Sequence, residues 1–93
     1  SYIDMSLALL NRIGVETSFI NNRIEIKPVE NLNISKHYVE SDWSSLSYFF
    51  SVVALSKSSE INIGTYFKNS IQGDKKLVKI YDKLGVKTIF KNN

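Results

Sequence analysis

The stretch from Val39 to Phe50, VESDWSSLSYFF, constrains the chain more than any other. Tyr38 and Val39 suit a strand, and Asp42 suits a helix N-cap because its carboxylate can accept the free backbone N–H groups two or three residues on. Beyond the cap, Trp43, Leu46, Phe49, Phe50 and Val53 recur at the three-and-four spacing of a helix with a broad apolar face. This is the most apolar helical pattern in the sequence. The rest of the chain is therefore expected to pack against it.

Upstream, residues 3–13 read as a helix with Ile3, Leu7 and Leu10 in one stripe and Leu9 and Ile13 beside it. Gly14 falls where a left-handed helix stop is usual. Val15 to Ile20 and Arg23 to Lys27 read as the strands of a hairpin, joined at Asn21-Asn22 because Asn tolerates positive φ. Pro28 ends the hairpin, since it cannot donate to the ladder. Residues 28–37 read as a loop or a poor strand. Downstream of the central helix, Glu60 to Gly64 reads as a short strand. Asp74 reads as a second N-cap and residues 75–84 as a helix with Leu77, Ile80, Tyr81 and Leu84 inward. Gly85 stops it, and Val86 to Phe90 reads as a last strand. The segments starting at Gly14 and Gly85 share G-V-x-T-x-F at an offset of 71 residues, which suggests equivalent places in a repeated α/β unit. The fold class expected is α/β (α+β).

Ninety-three residues make one small domain or a piece of a larger one. With 43% hydrophobic residues, the core can only be modest. The absence of cysteine excludes disulfides and thiolate chemistry. No run approaches the roughly 18 apolar residues of a membrane span, and residues 1–10 lack the basic start of a signal peptide. The chain opens on Ser1, almost directly into a helix pattern, and closes on Lys91-Asn92-Asn93 straight after a strand-like run. It is expected to be a fragment. Residues 1–40 carry a net charge of −1 and residues 41–93 a net charge of +4. Such a surplus can attract an anion. However, Lys75, Lys76, Lys79 and Lys83 share one helix whose other face is apolar, which is the pattern of a solvated face.

Three stretches resemble EPSP synthase (3-phosphoshikimate 1-carboxyvinyltransferase). Glu40, Asp42, Ser44, Ser45, Ser47, Tyr48 and Phe49 resemble that family's E-G-D-x-S-S-A-S-Y-F. Tyr2, Ile3 and Asp4, with Leu7, Leu10, Gly14 and Val15, resemble its Y-I-D segment. Asn69, Ser70, Gln72, Gly73 and Asp74, with Leu84 and Gly85, resemble its N-S-x-Q-G-D segment. The three occur in the family's order and span nearly the whole chain. The sister enolpyruvyl transferase that acts on a UDP-sugar shares the fold, but these motifs are not associated with it. The resemblance implies the enolpyruvyl transferase fold of repeated βαβαββ units. Residues 1–39 would be the αββ tail of a unit in one lobe, and residues 40–93 the βαβαβ start of the next unit in the other lobe, with a hinge near 40–42. It also implies a cytoplasmic transferase of the shikimate pathway, moving the enolpyruvyl group of phosphoenolpyruvate to the 5-hydroxyl of shikimate 3-phosphate. No metal or organic cofactor is implied.

On that resemblance Tyr2 is the substrate-binding candidate, its hydroxyl donating to the 3-phosphate. The residues alone would make it a packing Tyr. The family's catalytic acid–base groups and its phosphoenolpyruvate-binding Lys and Arg have no equivalents in this chain, so the fragment is expected to be inactive. Asp42 reads as a cap and argues against an anion site at the same helix start, because its charge would repel a phosphate. Ser44, Ser45 and Ser47 lack a base to activate them. His37 reads as solvent-facing, with no partner spacing for a metal. Trp43, Tyr48, Phe49 and Phe50 read as core rather than as a stacking platform, and Gly64 and Gly73 form no P-loop. The rival class is a small basic α/β module that binds nucleic acid or an acidic partner. A third is an assembly domain: an isolated fragment lacking its last strand is expected to self-associate through an open sheet edge. No nucleic-acid and no membrane partner is expected.

Overall fold

Where the sequence alternates apolar stripes with Asn and Gly stops, the computed structural model has helices and one hairpin. It describes residues 1–32, 34 and 36–91. Part of the loop expected at 28–37 (Asn33 and Ser35) and the last two residues, Asn92 and Asn93, lie outside the described residues. The chain divides into two units, Ser1–Tyr38 and Val39–Asn93.

The first unit contains α1 (Tyr2–Arg12), β1 (Thr17–Ile20) and β2 (Arg23–Ile26). Ser1 caps α1. Its hydroxyl accepts from the Asp4 N–H at 3.3 Å and donates to the Asp4 carboxylate at 2.7 Å. Gly14, at φ 90°, closes the helix. The Gly14 N–H donates to the Asn11 carbonyl at 3.1 Å and the Val15 N–H to the Leu10 carbonyl at 3.0 Å. Val15 is thereby spent on the helix stop and is buried, so β1 begins at Thr17 rather than at Val15. The Asn11 side-chain oxygen accepts from both the Thr17 N–H and its hydroxyl at 3.1 and 3.0 Å, tying the strand to the helix. The hairpin is antiparallel with Phe19 opposite Ile24 and Thr17 opposite Ile26. Asn21 and Asn22 sit at φ 51° and 60°, the primed turn that matches strand twist.

The second unit contains α2 (Trp43–Leu55), a 3₁₀ turn (Gly73–Lys76) and α3 (Leu77–Asp82). Asp42 caps α2 as expected, its carboxylate accepting from the Ser44 and Ser45 N–H groups at 3.1 and 3.2 Å. The core is Trp43, Leu46, Phe50 and Val86, with Val53, Ala54, Tyr66, Leu77, Val78, Tyr81 and Phe90 against it. Phe50 stacks on Tyr81 with centroids 5.0 Å apart, and Trp43 meets Tyr66 edge-on at 5.4 Å. The Tyr81 hydroxyl reaches the Ser51 hydroxyl at 2.8 Å.

Three expectations fail here. Tyr38–Val39, Glu60–Gly64 and Val86–Phe90 carry no ladder among the described residues, whose one sheet is the β1–β2 hairpin. A strand exists only through a partner's N–H and C=O groups. In place of that pairing, residues 59–64 and 86–91 line a cleft of about 540 Å³ along with α2 residues such as Leu46, Phe49 and Val53. Second, Asp74 does not cap the last helix. It lies in the 3₁₀ turn and accepts from the Ser44 hydroxyl, and α3 begins only at Leu77, with no side-chain cap. Third, Ile80 and Leu84 are exposed, and Val78 takes the inward place instead, because the tighter 3₁₀ turn rotates the register of the helix that follows.

The 71-residue echo has a physical basis. The Gly85 N–H donates to the Asp82 carbonyl at 3.1 Å and the Val86 N–H to the Tyr81 carbonyl at 2.9 Å, with Gly85 at φ 87°. These are the two bonds made at Gly14 and Val15, shifted by 71 residues. Val15 and Val86 are each only 7% exposed.

Candidate functional site

Among the described residues, the densest polar construction surrounds Glu40, just before the α2 cap. A carboxylate loses hydration when partly buried and needs donors in exchange. Glu40 has four. One oxygen accepts from the Trp43 indole N–H at 2.8 Å and the Phe67 N–H at 3.0 Å. The other accepts from the Ser70 hydroxyl at 2.8 Å and the Gln72 amide at 3.3 Å. Burial pushes the Glu40 carboxyl up, but the hydrogen bonds from Trp43, Phe67, Ser70 and Gln72 together outweigh it and hold it below the usual glutamate value. Glu40 is ionised near neutral pH with its lone pairs engaged, so it holds structure rather than accepting a proton.

Gln72 completes the arrangement. Its amide nitrogen also donates to the Ser41 carbonyl at 2.9 Å, and its amide oxygen accepts from the Trp43 N–H at 2.9 Å. The Ser41 N–H donates to the Thr65 carbonyl at 2.9 Å, the hydroxyls of Ser41 and Thr65 are bonded, and the Tyr66 hydroxyl donates to the Asp42 carbonyl at 3.2 Å. Thr65 sits at φ 62°, a left-handed backbone that a β-branched residue rarely adopts. The turn at 40–43 and the loop at 65–72 thus form one clasp. The Ser44–Asp74 bond extends it into the 3₁₀ turn. Beside it, the Ser45 hydroxyl and the backbone N–H groups of Ser44 and Ser45 hold the Asp42 carboxyl below its ordinary value, as expected for an ionised cap.

Glu40, Ser70, Gln72 and Asp74 belong to the E-x-D and N-S-x-Q-G-D stretches, which the structure brings together. Sequence reasoning reads Asn69 to Asp74 only as a turn into a helix. Gln72 and Ser70 were missed because they lie some thirty positions from Glu40, and no periodicity links a loop glutamine to a distant glutamate. A signal was available at closer range, because Glu40 and Trp43 stand three apart and the Trp43 indole N–H needs an acceptor when the ring is buried.

The sequence-predicted site residue, Tyr2, lies elsewhere. It is the first residue of α1, in the first unit, and is 86% exposed. Nearby, hydrogen bonding from Ser1, through its hydroxyl and its α-amino group, lowers the Asp4 carboxyl below its ordinary value. His37 is exposed, and no group of three potential metal ligands occurs among the described residues. Trp43 and Phe50 are buried and cannot stack on a base, but Tyr48 and Phe49, expected in the core, are substantially exposed. Phe49 borders the cleft lined by residues 59–64 and 86–91. Lys76, Lys79 and Lys83 are exposed as a solvated face, whereas Lys75 is half-buried. No described helix is long and apolar enough to cross a membrane.

Comparison with known proteins agrees with the motifs. The family model for EPSP synthase (3-phosphoshikimate 1-carboxyvinyltransferase) matches residues 1–93. The chain is 33% identical over 88 residues to the 3-phosphoshikimate 1-carboxyvinyltransferase of Bacteroides fragilis, covering 94% of this chain and 21% of that protein. It is 35% identical over 95 residues to the enzyme of the same name from Buchnera aphidicola subsp. Cinara cedri, covering 99% and 22%. To the one from Methanococcus aeolicus it is 34% identical over 93 residues, covering 95% and 21%. No solved structure matches. The chain spans about a fifth of the length of the curated relatives it matches. With the family model matched over residues 1–93 and the E-x-D and N-S-x-Q-G-D stretches joined in one clasp, the chain belongs to the EPSP synthase family.

Proposed function

We propose that the protein carrying this chain transfers the enolpyruvyl group of phosphoenolpyruvate to the 5-hydroxyl of shikimate 3-phosphate. The bond formed joins the 5-oxygen to the enol carbon, and the bond broken releases inorganic phosphate. The route is addition, in which the methylene carbon gains a proton as the 5-oxygen bonds, then elimination of phosphate and a methyl proton from the tetrahedral adduct. In the net reaction the 5-hydroxyl proton leaves with the phosphate. The observation that carries this reading is the family match across residues 1–93, in relatives named 3-phosphoshikimate 1-carboxyvinyltransferase.

In this reading residues 1–39 end one βαβαββ unit and residues 40–93 begin the next, in separate lobes that close over the anionic substrates. The βαβαβ arrangement requires residues 60–64 and 86–90 to gain ladder partners from polypeptide outside the 93 residues. The exposed Tyr2 hydroxyl donates to the 3-phosphate. The family's acid–base residues have no equivalents in this chain, so this chain alone is inactive, and with its edges unpaired it self-associates. No metal or organic cofactor takes part, and the compartment is the cytoplasm.

The test is phosphate release by the full-length protein. Release that requires both shikimate 3-phosphate and phosphoenolpyruvate, with one enolpyruvyl product per phosphate, is expected. No turnover with both substrates saturating and the protein folded would refute the reading.

A further inference from the structure

The two units meet in sequence at Tyr38 and Val39, and the first residues of the second unit are bonded within that unit. Glu40, Ser41, Asp42 and Trp43 each make at least one hydrogen bond to the 65–72 segment. Trp43 is 1% exposed, so the clasp is rooted in the core of the second unit. Thr65 keeps an unfavourable left-handed backbone opposite Ser41, which a loop under no constraint would relax. Next to this, Tyr38 and Val39 are exposed, and neither makes a hydrogen bond among the described residues.

We infer that Glu40 and Gln72 are positioning residues: by clamping the 40–43 turn to the 65–72 loop they fix the point from which the connection to the first unit departs, so that this connection bends upstream of Glu40 and not within residues 40–43. Gln72 is suited to this because one planar amide engages three groups of the turn: the Glu40 carboxylate, the Ser41 carbonyl and the Trp43 N–H. A glutamate there would lose both donations, and an asparagine would fall short by one methylene. Bending residues control catalysis when closure precedes chemistry. The kinetic consequence, though not the clamp itself, rests on the enolpyruvyl-transfer reading.

The test compares wild type, Gln72→Ala and Ser70→Ala in the full-length protein, by backbone hydrogen exchange and by steady-state kinetics. Ser51→Ala serves as a control that removes a hydrogen bond of the same unit outside the clasp. Gln72→Ala is expected to accelerate exchange at Ser41, Trp43 and Phe67 by about tenfold or more while residues 46–53 of α2 keep their protection, the signature of a local opening. Ser70→Ala, missing one of four donors, gives a smaller change at the same amides. Unchanged exchange at Trp43, or acceleration of residues 46–53 by the same factor, would overturn the clamp. On the kinetic side, Gln72→Ala is expected to lower kcat/KM for both substrates by about tenfold. Ser51→Ala is expected to leave it near wild type. Equal losses in the two variants would mean stability alone is being read, and the positioning role would be lost. If the wild-type protein shows no transfer at all, the functional reading fails, and hydrogen exchange still decides the clamp.

Discussion

Removing the Glu40 carboxylate tests the reasoning about the clasp most directly. In Glu40→Ala four donors lose their acceptor: the Trp43 indole N–H, the Phe67 N–H, the Ser70 hydroxyl and the Gln72 amide. They are not equal. Trp43 is almost fully buried, so its N–H has little access to water and its loss costs about 1–3 kcal/mol. The other three border solvent, and water replaces the carboxylate at roughly 0.5 kcal/mol each. The sum is about 3 kcal/mol. Glu40→Gln is milder, at about 1–2 kcal/mol, because one oxygen still accepts from Trp43 and Phe67 while the new amide faces the Gln72 amide donor to donor. Urea unfolding followed by the fluorescence of Trp43, the only tryptophan of the chain, reads both variants at the site itself. The two also separate by pH. The folded Glu40 carboxyl lies below its ordinary value of 4.5, so its stabilisation is fully present above about 4.5 and is lost as pH falls through the lower, folded value. Wild type therefore loses stability in that acid window, whereas Glu40→Gln is flatter across it. A Glu40→Ala variant within about 0.5 kcal/mol of wild type at pH 7, the usual range of a surface substitution, would refute the account.

Phe50→Ala removes the ring stacked on Tyr81 and is expected to cost about 3–4 kcal/mol, read as a fall in the urea midpoint. Gly14→Ala and Gly85→Ala meet no atom within 4 Å of the new Cβ, so each should cost only the left-handed backbone penalty, about 1 kcal/mol, and the two midpoints should fall alike. Tyr2→Phe in the full-length protein should raise KM for shikimate 3-phosphate by about tenfold, the worth of roughly one phosphate hydrogen bond, with Tm unchanged because the hydroxyl bonds to no described residue.

What the sequence made legible is local. The Asp42 cap, the Asn21-Asn22 turn and the glycine stops each rest on one residue's own conformational or hydrogen-bonding preference, and each is present in the structure. The segments at 60–64 and 86–90 carry no ladder among the described residues, because alternation tells which faces a strand would have, not whether a partner is there to pair with it. Asp74 was misread for a related reason. An aspartate before a helix caps it only if nothing nearby offers a better partner, and Ser44, thirty residues away, does. For the same reason no window of the sequence shows Gln72 reaching Trp43, Ser41 and Glu40.

The distribution of polar bonding also separates holding residues from those free to bind. A group whose lone pairs and protons are already engaged cannot turn to a ligand without an exchange of bonds, and in a half-buried setting that exchange is costly. Glu40, Asp42, Ser70 and Gln72 are all engaged, although they lie in the stretches most typical of the family. Their bonds set the backbone at the start of the second unit. Tyr2 differs, since its hydroxyl is exposed and bonds to no described group. Two kinds of site follow, with opposite experimental signatures. Substitution in the clasp moves stability and local opening first and turnover through them. Substitution at Tyr2 is expected to move substrate affinity and to leave stability where it was. A Tyr2→Phe variant that lost stability, or a Gln72→Ala variant that altered KM with no change in local exchange, would show that the division has been drawn in the wrong place.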